Sequence, residues 1–152
     1  MREVWGIDPG LGGALVFLGR DDFVEIHDMP VVEVSGRKRM ISAVGVADIL
    51  STRECPCVIE KVAARPGQGV TSMFNFGVGY GIILGVVASL MGPTFHITPQ
   101  QWRRELKVQS GKDASRQRAM ELYPFHSASF SRKKDDGRAD ALLIARWGLN
   151  QP

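Results

Sequence analysis

Apolar and polar positions in this chain fall into short blocks whose periods change from strand-like to helix-like. Val4, Trp5 and Ile7 form a run apolar on both faces, as a central strand is, and the run stops at Asp8. After the turn at residues 9–13, residues 14–18 resume an apolar strand. Residues 23–29 then alternate apolar and polar, as a half-buried strand does. Tight turns join these three into an antiparallel meander. The stretch SGRKRM reads as a polar loop, and Ser42 caps a helix reaching about Ser51. Residues 58–60 form a short buried strand, followed by the loop KVAARPGQG.

Residues 71–91 read as one long buried helix. Gly77, Gly81 and Gly85 recur every fourth position along one face of it, so something is expected to pack closely there. A fifth strand covers residues 94–97. Thr98 then stands at an N-cap, Pro99 at the first helical position and Gln101 as the capping-box partner. Helices follow to about Leu106, over residues 112–123 and over residues 137–147. The polar segment HSASFSRKKDD between the last two is expected to be mobile. This order gives an α/β fold, a five-stranded mixed sheet with helices on both faces. A length of 152 residues suits a single domain spanning residues 1–152.

Composition narrows the class only slightly. Hydrophobic and charged residues make up 44% and 23% of the chain, an ordinary globular balance. The most apolar stretch is glycine-rich and reads as a core helix, so no membrane partner is expected. The first strand starts too early to leave room for a signal peptide, which points to a cytoplasmic location. Cys55 and Cys57 have no second pair with which to build a zinc site, and His27, His96 and His126 show no ligand spacing. The net charge of +3 says little by itself. Its distribution says more. Basic clusters at residues 37–39, 103–107, 112–118 and 132–134 accompany the acids described next, which favours a polyanionic ligand such as nucleic acid.

Glu60 repeats the oddity of Asp8, an apolar strand ending in a carboxylate before a glycine-rich loop. Neighbouring strands lie roughly 4.8 Å apart, so if these two are parallel neighbours their terminal acids can share a cation. In DDGRADALLIARW, Asp136, Asp140, Leu143 and Trp147 share one helical stripe, whose apolar end should pack on the sheet and direct the acids inward. Like charges converging in this way repel unless a divalent metal neutralises them, and an all-oxygen ligand set suits Mg²⁺ or Mn²⁺. A pair of such ions activates water and stabilises the leaving oxygen in phosphodiester cleavage.

The segments GIDPGLGGALV, VIEKV, ITPQQWRRELKV, GKDASRQRAMELYP and DDGRADALLIARWG, in this order, resemble RuvC-type Holliday junction resolvases, particularly their phage branch. The resemblance runs from Val4 to Gly148. It implies a ribonuclease H-like fold, a catalytic metal set at Asp8, Glu60, Asp136 and Asp140, and a basic residue near the scissile phosphate, best matched by Lys112. It also implies Mg²⁺ as cofactor, with Mn²⁺ able to substitute and two ions per site, branched DNA as substrate, and the host cytoplasm as location if the chain is phage-encoded.

Two features depart from the family pattern. RuvC proper spaces its last two acids three apart, whereas Asp136 and Asp140 are four apart, so Asp135 remains an alternative third acid. The aromatic wedge that bacterial members carry shortly after the second acid is missing from EKVAARPGQG; Phe74 and Phe76 come well downstream. Activity on forks and flaps besides four-way junctions is therefore expected. A two-fold symmetric substrate calls for a homodimer, with the helix from Thr71 as its interface. The alternatives are an actin-like nucleotide-binding module, which needs a second domain half, and a non-catalytic DNA-binding domain of the same fold. No Walker A pattern is present, because SGKD lacks the earlier glycine and the Ser/Thr after its lysine.

Overall fold

The protein is described here by a computed structural model covering residues 1–90 and 92–152. Three antiparallel strands, β1 (Val4–Asp8), β2 (Ala14–Leu18) and β3 (Val24–Asp28), form the expected meander. Strands β6 (Cys57–Glu60) and β7 (Thr94–Ile97) add to it in parallel, giving the order β3-β2-β1-β6-β7. The central strand β1 therefore pairs antiparallel on one side and parallel on the other, which explains its apolar character on both faces.

Helices cover both faces of this sheet. On one face α5 (Asp136–Leu149) packs along β1 and β2, flanked by α3 (Pro99–Glu105) and α4 (Ala114–Leu122). Its core joins Val4, Val16, Val58, Trp102, Leu142 and Ala145. On the other face α1 (Ala43–Leu50) and α2 (Val70–Leu90) cover Trp5, Ile7, Leu15 and Ile59. The Ser42 side chain accepts from the Gly45 amide at 3.0 Å. Thr98 and Gln101 form the anticipated capping box at the start of α3.

Three expectations need correction. SGRKRM is not a loop: with the preceding valines it forms a separate two-stranded hairpin, β4 (Val31–Ser35) and β5 (Lys38–Ile41). Gly36 (φ +49°) and Arg37 (φ +67°) supply the positive backbone angles that a tight two-residue hairpin turn demands. The HSASFSRKKDD segment is also structured, as 3-10 turns over Pro124–Phe130 and Lys133–Asp135 pinned by fully buried Phe130 and Asp135.

The third correction concerns α2, which was expected to be buried. Gly79, Ile83 and Val87 are buried, but most of the helix is exposed, and a Cβ built at Gly77, Gly81 or Gly85 meets nothing within 4 Å. It is the one described helix long and apolar enough, by length and composition, to cross a membrane. The last residue of the expected helix, Met91, lies outside the described residues.

Candidate active site

The register Trp5↔Cys57, Gly6↔Val58, Ile7↔Ile59 runs in parallel to the ends of β1 and β6, which brings Asp8 beside Glu60. Helix α5 crosses directly beneath, and its closeness is written into the sequence. A Cβ on Gly6 would stand 2.3 Å from the Ala141 carbonyl oxygen and 2.4 Å from the Ala145 nitrogen. A Cβ on Gly137 would stand 2.1 Å from the Gly12 carbonyl oxygen. Both positions admit only glycine while the backbones stay this close. Two Cβ-free contacts thus dock the first turns of α5, with Asp140, under the end of β1.

Three carboxylates sense one another at this point. Burial holds the Asp8 carboxyl well above its usual range, and the charges of Asp140 and Glu60 add to the shift. Burial also raises Glu60, opposed by a hydrogen bond from Trp102 and reinforced by Asp140. Asp140 is raised by burial against the pull of the Ser115 hydroxyl and the Arg103 guanidinium, with Asp136 adding to the rise. The Oδ1 atom of Asp140 is buried without a hydrogen-bond partner among the described residues, and the nearest cation, Arg103 Nη2, stands 3.7 Å away. A buried, orphaned carboxylate oxygen among like charges is a site short of positive charge. The donors are all oxygens and hard, as Mg²⁺ or Mn²⁺ requires.

Among the described residues, no three acidic, histidine or cysteine side chains stand close enough to form a finished metal cage. The reason is visible in their partners. Glu60 Oε2 accepts from Trp102 Nε1 at 2.8 Å, and Asp136 Oδ1 accepts from Arg116 Nε at 2.7 Å. Asp136, its side chain 48% exposed, is thus paired with Arg116 and does not turn inward with the others. Asp135 has a different task. It is 1% exposed, accepts from the Arg132 amide at 2.9 Å and from the Arg132 guanidinium at 2.8 Å, and braces the turn ahead of α5. Of the two candidates for a third acid, Asp136 is the one whose charge reaches Asp140. Lys112 stands exposed in the turn ahead of α4, three residues before Ser115, and is not among the residues lining the cavity beside Asp8.

That cavity, about 470 Å³, opens over Asp8 and Glu60 and is walled by Lys61, Arg65, Gln68 and Phe76. Its mouth is therefore cationic above an acidic floor. Two residues complete the site: Trp102, to which the sequence reading gave no role, and Arg103, which it read only as part of a basic cluster. Trp102, fully buried, carries the hydrogen bond to Glu60, and the Arg103 guanidinium lies over its ring at 4.9 Å. Arg103 also donates to Ser115 Oγ at 3.0 Å, linking α3 to α4 beside Asp140. The only sequence signal for Trp102 is a large aromatic inside a short capped helix; its partner lies 42 residues away.

The fold is that of the RuvC resolvases, a ribonuclease H-like sheet. RuvC of T. thermophilus in complex with a Holliday junction substrate superposes with a TM-score of 0.62 at 18% identity, over 95% of this chain and 90% of that one. The yeast mitochondrial Holliday junction resolvase Ydc2 gives a TM-score of 0.54 at 19% identity, over 93% of this chain and 75% of that one. In sequence, the chain is 34% identical over 131 residues, 78% of its length, to the chloroplast Holliday junction resolvase MOC1 of Chlamydomonas reinhardtii. It spans 14% of that relative's length. No protein-family model matches the chain. The similarity to RuvC-type resolvases read from the motifs is thus met in both fold and sequence.

Proposed function

We propose that residues 1–152 act as a RuvC-type nuclease domain, a divalent-metal-dependent endonuclease that resolves four-way DNA junctions by paired incisions and also cuts forks and flaps. The observation that carries this reading is the grouping of Asp8, Glu60 and Asp140, each raised in proton affinity by burial and Asp8 and Glu60 further by the charge of Asp140, with one buried oxygen of Asp140 left unpartnered among the described residues. Asp8, Glu60 and Asp140 would hold the metal, with Asp136 joining them on release from Arg116. Two Mg²⁺ ions, or Mn²⁺ in their place, would supply a hydroxide nucleophile and charge stabilisation at the leaving oxygen. The chain's own residues do the rest. Trp102 orients Glu60 by its hydrogen bond, and Arg103 and Ser115 fix the flank of Asp140. Lys61 and Arg65 at the cavity mouth attract and position the phosphate, and Lys112, exposed in the turn ahead of α4, is the residue proposed to contact the scissile phosphate on the DNA's approach.

Paired incision implies a homodimer. The open glycine face of α2 supports one, because a partner helix can approach that face closely. Ile83 and Val87 on its other side are buried against the domain, which favours a protein interface over a membrane partner. A cytoplasmic location, the host's if the chain is phage-encoded, fits this assignment. The test is end-labelled four-way junctions, forks, flaps and linear duplex incubated with the protein and Mg²⁺. Symmetric nicks in the junction, fewer in forks and flaps and fewest in linear duplex are expected. Binding without nicking on every substrate would leave a DNA-binding module, and the absence of both would remove the assignment.

A further inference from the structure

Arg116 is the only buried basic residue among the described residues, 8% exposed. It stands in α4, and each of its three nitrogens donates a hydrogen bond. Nε reaches Asp136 Oδ1 at 2.7 Å, Nη1 the Ser131 carbonyl at 3.3 Å, and Nη2 the Asp113 carboxylate. One planar guanidinium thus ties the start of α4, the turn after Phe130 and the first residue of α5. Two acids share this cation, and only one of them belongs to the proposed metal set.

Asp136 and Asp140 stand one turn apart on α5 and so share a face of it, and the charge of Asp136 already reaches Asp140. The Asp136 side chain is half exposed, and among the described residues Arg116 is its one partner. A change of side-chain rotamer therefore separates the outward, paired position of Asp136 from an inward one beside Asp140. Its departure would not strand the guanidinium. Arg116 keeps Asp113 and the Ser131 carbonyl, which avoids the large cost of a buried charge without a counter-ion.

We infer that Arg116 is a latch on the metal site, a positioning residue that holds Asp136 outward until Asp136 exchanges the guanidinium for a second divalent ion. This rests on the nuclease assignment above. The first ion is taken by Asp8, Glu60 and Asp140, whose orphaned oxygen needs positive charge. The second must compete with Arg116. The metal-free protein is thereby spared a fourth like charge at one point, and the DNA-free protein has one strong ion position and one weak one. The negative oxygens of an incoming phosphate add to the pull on the second ion and so release the latch.

The experiment follows the Arg116 Nε–H resonance of the ¹⁵N-labelled wild type, assigned by its loss in Arg116→Lys. In chelator it should exchange slowly with water. The first additions of Mg²⁺ should shift amides around Asp8 and Asp140 and leave Nε–H in place; further Mg²⁺ should move it and speed its exchange. In calorimetric Mn²⁺ titrations, Arg116→Gln should tighten the second ion about tenfold and leave the first unchanged, because one charge-assisted, half-exposed hydrogen bond no longer competes. The gain should vanish in Arg116→Gln/Asp136→Asn. A resonance that stays fixed and protected to saturation overturns the latch, and needs no variant to fold beyond the one used for assignment. So does a weaker second ion in Arg116→Gln, which makes Arg116 a brace, or equal tightening of both ions, which is plain loss of charge. Junctions cut by a protein that takes up no ion in either form overturn the latch alone. Failure of the wild type to bind or cut any branched DNA overturns the latch and the nuclease assignment together.

Discussion

Neutralising Asp8 should make the metal-free protein more stable while removing its chemistry. Burial and the charges of Asp140 and Glu60 hold the Asp8 carboxyl above its usual range, so the native state keeps a proton that the unfolded chain releases. A group raised in this way contributes stability in full below its unfolded pKa, and the contribution is lost as pH rises through the folded one. Glu60 and Asp140 are raised in the same direction, so the losses accumulate above the ordinary carboxylate range, from about pH 4 upward. An uncompensated buried polar group costs about 1–3 kcal/mol. Asp8→Asn removes the charge at its most crowded point, so the variant should gain about that much at pH 8. For a chain of this size the gain appears as a rise in Tm of about 2–10 °C. Thermal unfolding by circular dichroism from pH 4 to pH 8, in chelator and then in saturating Mg²⁺, measures it. In chelator the variant should exceed the wild type at pH 8 and converge with it at pH 4. Mg²⁺ should raise the wild type and leave the variant almost unmoved. A variant no more stable than wild type at pH 8, or a difference that does not change with pH, would refute the reasoning.

Other expectations follow from neighbouring contacts. Trp102→Phe deletes the hydrogen bond to Glu60, which should cost about 1.5–3 kcal/mol in denaturant unfolding. Because that bond lowers the proton affinity of Glu60, its loss should also move the acid limb of the pH–rate profile to higher pH; an unmoved limb would make Trp102 a packing residue only. Gly6→Ala drives a methyl into the Ala141 carbonyl and should separate α5 from β1, with a loss of several kcal/mol (roughly 3–5 kcal/mol) in the same unfolding assay. Gly81→Glu adds a charge where a Cβ meets nothing, so it should leave Tm within a few degrees yet convert a dimer to monomer in sedimentation velocity; an unchanged mass would place the interface elsewhere.

What the sequence shows and what it hides divide along physical lines. The strand ends at Asp8 and Glu60 were legible because an acid that closes an apolar run is costly without a partner, and the parallel pairing of β1 with β6 then brought the two together. The capping box of α3 was legible because it is local. The β4–β5 hairpin was obscured because its exposed valines alternate with charges that also suit a solvated loop, while the positive φ at Arg37 is carried by a residue that does not advertise it. Helix α2 reads as core by composition. Its open glycine face shows that apolar character measures what a helix can bury, not what its own chain covers. The glycines around Asp8 also divide: a Cβ at Gly12 meets nothing, whereas Gly137 across the turn is needed to seat α5. The roles of Trp102 and Arg116 depend on partners 42 and 20 residues away, and no spacing rule reaches them.

The most direct test of the shared metal site is Mn²⁺ binding to the protein in the absence of DNA, followed by calorimetry and by electron paramagnetic resonance of the free ion. Wild-type protein should bind up to two ions per chain, with an affinity that falls as pH drops and the raised carboxyls take up protons. Asp8→Asn, Glu60→Gln and Asp140→Asn should each lose at least one ion or weaken binding by about tenfold or more, while Asp135→Asn should change little beyond stability. Equal stoichiometry and affinity in the wild type and in the Asp8→Asn/Asp140→Asn double variant would contradict the claim that these acids converge to hold a metal.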